Sequence, residues 1–323
     1  MRVGLFVNTQ FPEGFNVAER VPEMVAQVRA ARDAGFASLW FPHHWLTQPM
    51  RMLQITPVMG YVAAHAQGMT IGPNILILPP LNPVHVAEEA ATLDVLTGGN
   101  YILGVGLGYR PPEFDAFRIP LAERAPRFNE AIGLMRRLWT EDRVSHEGRF
   151  YTVNDAGLSL KPVRTGGPPL YIAGFAEAPV RRAARIGDAW LIMNNGLGTV
   201  APLMRIYRDA LKEYGRAPIE YPITVECFVG ERHATAHEEC RQPLEYKYNA
   251  YAAWGLEERP AQSFDDLARD RFIIGDKISV KEEIARYREL LGVDHFIMRC
   301  QWPGLPQERV LGSIRRLGEI FAS

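Results

Sequence analysis

Residues 38–49 read Ser-Leu-Trp-Phe-Pro-His-His-Trp-Leu-Thr-Gln-Pro, so His43 and His44 follow directly on a short apolar run, with Trp45 beside them. An imidazole changes charge near neutral pH, which suits either histidine to proton transfer. Other chemistries find little support. A Schiff-base enzyme needs a desolvated lysine at a strand end, but the first lysine is Lys161 and none closes an expected strand. Magnesium-enolate chemistry asks for several carboxylates at strand ends, and Glu226 stands nearly alone. His233 and His237 have i,i+4 spacing, yet Ala234 occupies the place of the general base in HExxH; the pair reads as surface, and no metal site is expected. Gly104-Val-Gly106-Leu-Gly108 has the spacing GxGxG rather than GxGxxG and runs into Tyr109-Arg110-Pro111-Pro112, so the dinucleotide fingerprint fails. Those glycines imply tight packing or close approach to something flat. Sparse ionic machinery beside apolar residues suits an organic cofactor that brings its own reactivity.

The elements that must position these groups alternate. Apolar runs over 3–8, 38–41, 69–78, 101–106, 169–173, 189–193, 223–229 and 295–299 read as strands. Helical spacing fills the intervals, as over 17–34, 55–66, 83–96, 123–140, 179–186, 200–214, 234–254, 280–291 and 308–321. Alternating βα units predict a parallel sheet, and eight of them predict an α/β fold of the (β/α)₈ (TIM) barrel type. The 323 residues are read as one such domain, with insertions at 109–122, 142–168 (including a hairpin near 146–153) and 255–275. In a barrel, His43 and His44 lie at the C-terminal mouth, where active sites sit. A net charge of −1 with no basic run excludes a nucleic-acid partner. No apolar stretch resembles a signal peptide or a membrane span. Three dispersed cysteines fit a reducing cytoplasm.

Together, the blocks GFASLWFPHHW, ILILPPLNPVHVAEEAATLDVLTGGNYILGVGLGYRPPEFDAF, RFNEAIGLMRRLW, YIAGFAEAPVRRAARIGDAW and IIGDKISVKEEIARYRELLGVDHFIMR resemble the luciferase-like flavin oxidoreductases. That superfamily includes bacterial luciferase, alkane and nitrilotriacetate monooxygenases, and enzymes dependent on coenzyme F420. The likeness runs from the first strand to the last helix. It implies a barrel holding a reduced flavin (FMN as FMNH2) or reduced F420 in its mouth, and a homodimer through early helices. The expected function is a two-component, FMNH2-dependent monooxygenase. A separate NAD(P)H:flavin reductase supplies the flavin, and O2 oxygenates a small organic substrate. F420-dependent hydride transfer is the alternative, and a catalytically silent flavin-binding protein is a third reading.

The resemblance also assigns residues. Counted without a gap from Gly35, His44 falls on the active-site histidine, while His43 replaces an acidic residue common just before it. Tyr109 stands where some F420-dependent members carry a catalytic glutamate. These three are the catalytic candidates. Asn74 and Ile75 match a non-proline cis peptide that supports the flavin ring, and Gly106 and Gly108 admit the ring to strand 4. Where many members have Gly-Gly-Ser-Ser for the cofactor phosphate, this chain has Gly174-Phe175-Ala176-Glu177, and Leu107 replaces a luciferase arginine. Backbone amides of Phe175 and Ala176 are then the expected anchor, with charge from Arg110 or Arg181. Tyr246, Tyr248, Tyr251 and Trp254 either roof a substrate pocket or pack a long helix; Cys227 and Cys300 read as core. Alanines 63, 64, 66, 87, 90 and 91 are the expected dimer face.

Overall fold

The structure, a computed structural model, describes residues 1–253 and 263–322; Trp254 and positions 255–262 of the 255–275 insertion lie outside the described residues. Eight parallel strands form the frame: β1 (Arg2–Phe6), β2 (Ser38–Phe41), β3 (Thr70–Pro73), β4 (Leu103–Gly106), β5 (Leu170–Ala173), β6 (Ala189–Leu191), β7 (Pro222–Val229) and β8 (His295–Arg299). Ladders join β7 to β8, β8 to β1, β1 to β2 and β2 to β3, and separately β4 to β5 and β5 to β6. Single parallel bridges, Ile71 to Tyr101 and Ile192 to Ile223, close the two remaining gaps. The expected (β/α)₈ barrel is therefore what the chain forms.

Strand alternation sorts the side chains into two cores. One lies inside the barrel, where Phe6, Trp40, Ile102, Tyr171, Leu191 and Ile297 meet. The other lies between strands and helices and holds most of the leucine, isoleucine and valine. Along β8 the inward positions are His295, Ile297 and Arg299, which places one polar group at the floor, one apolar group in the middle and one cation at the mouth. The helices are held by local chemistry. Asn16 and Asp276 cap Val17–Asp33 and Lys277–Leu291 through their side-chain oxygens, and Gly292 at φ 65° ends the latter.

Several expectations are corrected in detail. The run over 69–78 is two strand segments, β3 and Leu76–Ile77, and the Asn74–Ile75 peptide between them is cis. Between the pairs Ile71/Tyr101 and Leu76/Val105, the first strand uses five residues where β4 uses four, a one-residue bulge. A ninth parallel strand, Phe272–Gly275, has no counterpart among the expected strands; it pairs with Glu226–Val229, beyond the point where β6 touches β7. The 109–122 insertion contains a short helix, Pro111–Ala116, and the hairpin is Val144–Glu147 with Thr152–Ala156. Ala87, Ala90 and Ala91 are buried in the chain's own core, where Trp139 donates to the Ala87 carbonyl at 3.1 Å, so these alanines do not form a free face. Among the described residues no helix is long and apolar enough to cross a membrane, and Cys227, Cys240 and Cys300 are free and buried.

Candidate active site

His44 projects from the loop after β2 and donates from Nδ1 to Glu113 Oε1 at 2.9 Å. Glu113, in the short helix Pro111–Ala116, is fully buried. Burial alone would raise its carboxyl. The His44 hydrogen bond and charge, the Trp45 N–H and the Arg110 charge outweigh that and hold it below the usual carboxylate range. An ionised acceptor fixes the imidazole proton on Nδ1 and leaves Nε2 for chemistry. Tyr109 packs edge-on against the His44 ring, centroids 5.7 Å apart, with its hydroxyl buried and without a hydrogen-bond partner. Burial pushes that phenol well above its ordinary value, so it remains a neutral donor. Arg110 donates to the carbonyls of Trp45 at 2.7 Å and Leu46 at 3.2 Å and lies 3.3 Å from Glu113. Those bonds clamp the histidine loop.

His43 is placed differently. It is buried, and its Nδ1 accepts the Ile77 N–H at 3.2 Å. Burial and the neighbouring His44 lower it to about 3, so it stays neutral and pins the backbone just after the cis peptide. Asn74 reaches across the barrel interior and donates to Thr224 Oγ1 at 2.7 Å, while its buried Oδ1 has no partner. Ile75 packs against the inner core.

The glycine run proves to be a packing device at this point. A Cβ on Gly104 would strike the Pro73 carbonyl; one on Gly106 would come within 2.6 Å of Ile75; one on Gly108 within 2.6 Å of Ile77. Alternate glycines of β4 thus face alternate residues of the bulge, and Gly108 also needs its φ of 72°. At β5, a Cβ on Gly174 would strike Pro179, so this glycine docks the next helix. Phe175 is 47% exposed, and Ala176 caps the helix Glu177–Ile186 without a side-chain bond. Arg181 is paired with Glu213.

On the opposite rim lies a network that sequence reasoning missed. Glu226 is ion-paired with Lys247, accepts from Trp302 Nε1, and has the Tyr248 hydroxyl at 3.3 Å. Arg299 donates to Tyr251 at 2.9 Å and Asn8 at 3.0 Å. Tyr248 is therefore core, Tyr251 bridges to the rim, and Tyr246 is exposed at 44%. Inward alternation on β7 and β8 was the available signal for Glu226 and Arg299. His233 and His237 bond to Ser279 and the Ile274 carbonyl, and among the described residues no three metal-ligating side chains cluster.

Thr9 Oγ1, Asn74 Oδ1, Tyr109 OH and Asn194 Oδ1, just beyond barrel strands, and Glu113 Oε2, in the short helix beside them, are buried with no hydrogen-bond partner. Orphaned polar atoms around one mouth fit a flat ligand with polar edges, as a flavin or deazaflavin is. The phosphate end fits less fully: open backbone N–H groups at a helix start, with no hydroxyl and no free arginine at 174–181.

Comparison with known proteins agrees with this architecture. An F420-dependent glucose-6-phosphate dehydrogenase of Nocardia farcinica is 35% identical over 281 residues, 80% of each chain. Among solved structures, monooxygenase RslO1 from Streptomyces bottropensis superposes with a TM-score of 0.88 at 22% identity, covering 100% of this chain and 99% of that one. The oxygenating constituent of 3,6-diketocamphane monooxygenase of Pseudomonas putida, in complex with FMN, does so at 0.84 and 16%, covering 99% and 97%. The model of the luciferase-like monooxygenases matches residues 1–295; the chain belongs to that family.

Proposed function

We propose that this chain is a reduced-flavin-dependent monooxygenase of the two-component kind, acting on a small organic substrate with O2. The observation that carries the reading is the His44–Glu113–Tyr109 constellation. A histidine with a fixed proton and a neutral phenol stand together at an enclosed mouth, and position 109 offers no carboxylic acid. The flavin, when bound, supplies the electrons and the activation of O2. Asn74 and Tyr109 would hold the ring edge, the Ile75 and Gly106 backbone would support its face, and the amides of Phe175 and Ala176 would meet the phosphate. His44 Nε2 handles one proton, while Trp45 and Phe117, rings 4.8 Å apart, keep water from that side. FMNH2 would arrive from a separate NAD(P)H:flavin reductase, and we place the enzyme in the cytoplasm as a homodimer.

A second reading, F420-dependent hydride transfer, is favoured by the 35% identity to the Nocardia farcinica dehydrogenase. Anaerobic titration of the full chain with FMN, FMNH2 and F420 separates the two. FMNH2 binding followed by O2-linked turnover supports the monooxygenase. Tight F420 binding with negligible FMNH2 binding overturns it, and flavin binding without turnover leaves a silent flavin-binding protein.

A further inference from the structure

We propose that a narrow cleft at the end of β8 holds the carboxylate of a monoanionic substrate, with Arg299 and Lys247 as its cationic contacts. This rests on the oxidoreductase reading above and adds the substrate's chemical class to it. The cleft lies on the mouth side of the barrel, between Asn8 and Gln10 after β1, Arg299 on β8, and Lys247, Ala250 and Tyr251 on the helix His233–Ala253.

Its two charged linings are both cations, and both are at least nine-tenths buried. Arg299 hydrogen-bonds to neutral groups and feels the Glu226 carboxylate, which it shares with Lys247, at longer range. Its Nη atoms donate to Tyr251, Asn8 and Gln10, the last at 3.3 Å, and the guanidinium lies 4.8 Å over the Phe6 ring. Its Nε, also buried, has no hydrogen-bond partner, and no carboxylate among the described residues forms an ion pair with it. A buried guanidinium without a directly paired anion is costly, and its planar fork matches a carboxylate. Lys247 does have an anion, Glu226, but both oxygens of Glu226 are engaged, one by Lys247 and the other by Trp302. Burial, then the Arg299 charge and that of Arg271, lower the Lys247 ammonium against the opposing pull of Glu226, a further sign of positive excess. Arg271 stacks 4.5 Å over Tyr248 and does not line the cleft.

The charge balance selects the ligand. Lys247 and Arg299 together carry two positive charges and Glu226 cancels one, leaving one for the incoming group. A carboxylate neutralises that charge, whereas a phosphate monoester would leave an uncompensated negative charge in a buried place. The cleft therefore differs in preference from a sugar-phosphate site.

Thermal melting of the full chain at fixed pH and ionic strength tests this, with acetate, inorganic phosphate and chloride as probes. Acetate should raise Tm in a saturable way and beyond chloride, with phosphate weaker. Arg299→Gln should weaken acetate binding at least about tenfold, the loss expected for a charge-assisted bidentate contact. Ala250→Leu keeps both cations and fills the space, so it should abolish the effect even if the arginine variant fails to fold. Acetate acting no better than chloride, phosphate binding more tightly than acetate, or unchanged acetate binding in Ala250→Leu overturns the assignment. None of these readouts needs a flavin, so a failure of the monooxygenase reading shows separately in the cofactor titration.

Discussion

At the floor of the barrel, Trp40 Nε1 donates to Ser38 Oγ at 2.8 Å, Ser38 meets His295 Nε2 at 2.7 Å, and His295 Nδ1 meets Glu220 at 2.6 Å. Tyr171 and Arg2 donate to the same carboxylate, at 2.7 and 2.8 Å. The order serine–histidine–glutamate is that of a hydrolase triad, yet Ser38 and His295 are fully buried and every donor in the chain has an acceptor. At the mouth, Asn74, Tyr109 and Asn194 each keep one buried polar atom without a partner. Both ends of the barrel are polar and shielded from water. What separates them is saturation: a closed network stabilises the fold, and an open one leaves polar atoms that a ligand could satisfy.

The sharpest way to break this contrast is at the mouth. His44→Ala should slow turnover by about 10²–10⁴, the usual range for one general acid–base group, while reduced flavin still binds. Single-turnover oxidation of the flavin complex measures it, and a rate equal to wild type would remove the proton-handling role. His43→Ala should instead reduce stability, because the Ile77 N–H loses its buried acceptor.

Acid should affect the floor next. Burial opposes ionisation of Glu220, but the His295 bond and charge, then Arg2 and Tyr171, hold it at about 2 against an ordinary 4.5. Its folded pKa is depressed, so its contribution is complete above pH 4.5 and is lost as pH falls towards 2. The loss is on the order of 3 kcal/mol. Urea unfolding at pH 7 and pH 3 should show more than half of it, about 2 kcal/mol, and Glu220→Gln should flatten that part of the slope.

Glu113→Gln tests whether the brace behind His44 belongs to the open network. Losing a charge-assisted bond worth about 1.5–3 kcal/mol should lower kcat roughly 10- to 100-fold, with flavin affinity unchanged. The Nδ1–H signal of His44 in proton NMR should move upfield at the same time. The smallest effect on turnover belongs to Ser38→Ala. It leaves the Trp40 and His295 nitrogens without their buried partner, at about 1–3 kcal/mol each, and turnover per folded molecule should not change. If Ser38→Ala lowered turnover while leaving Tm alone, the division into floor and mouth would fail.

The sequence showed the barrel because its strands are short apolar runs whose periodicity survives without tertiary help. It brought His43 and His44 to the mouth for the same reason, as the first titratable groups past a strand end, and the family resemblance singled out His44. Glu113 was hidden because it approaches His44 from an insertion whose helix begins at consecutive prolines, Pro111 and Pro112, with no periodic signal. The strand Phe272–Gly275 was hidden by its four-residue length beside a polar segment. Arg299 was in view at a strand end, but a cation there looks like rim solvation until its burial is known. Arg110 was read as a spare charge for the cofactor. The structure commits its guanidinium to two carbonyls of the histidine loop, a pairing between residues about 65 positions apart that no local pattern encodes.

The register of Gly104, Gly106 and Gly108 against Pro73, Ile75 and Ile77 also bears on attempts to change what this protein accepts. A mutational library aimed at the shelf beneath the ligand would naturally include those three positions. At Gly104 even alanine must displace the Pro73 carbonyl, a backbone atom with nowhere to go, and at Gly108 a side chain must also adopt a left-handed φ. Variation there would return mostly misfolded chains. Productive diversity lies on the strands facing it, at Thr224, Asn194 and the rim of β8, where side chains shape the cavity and the backbone remains free of them.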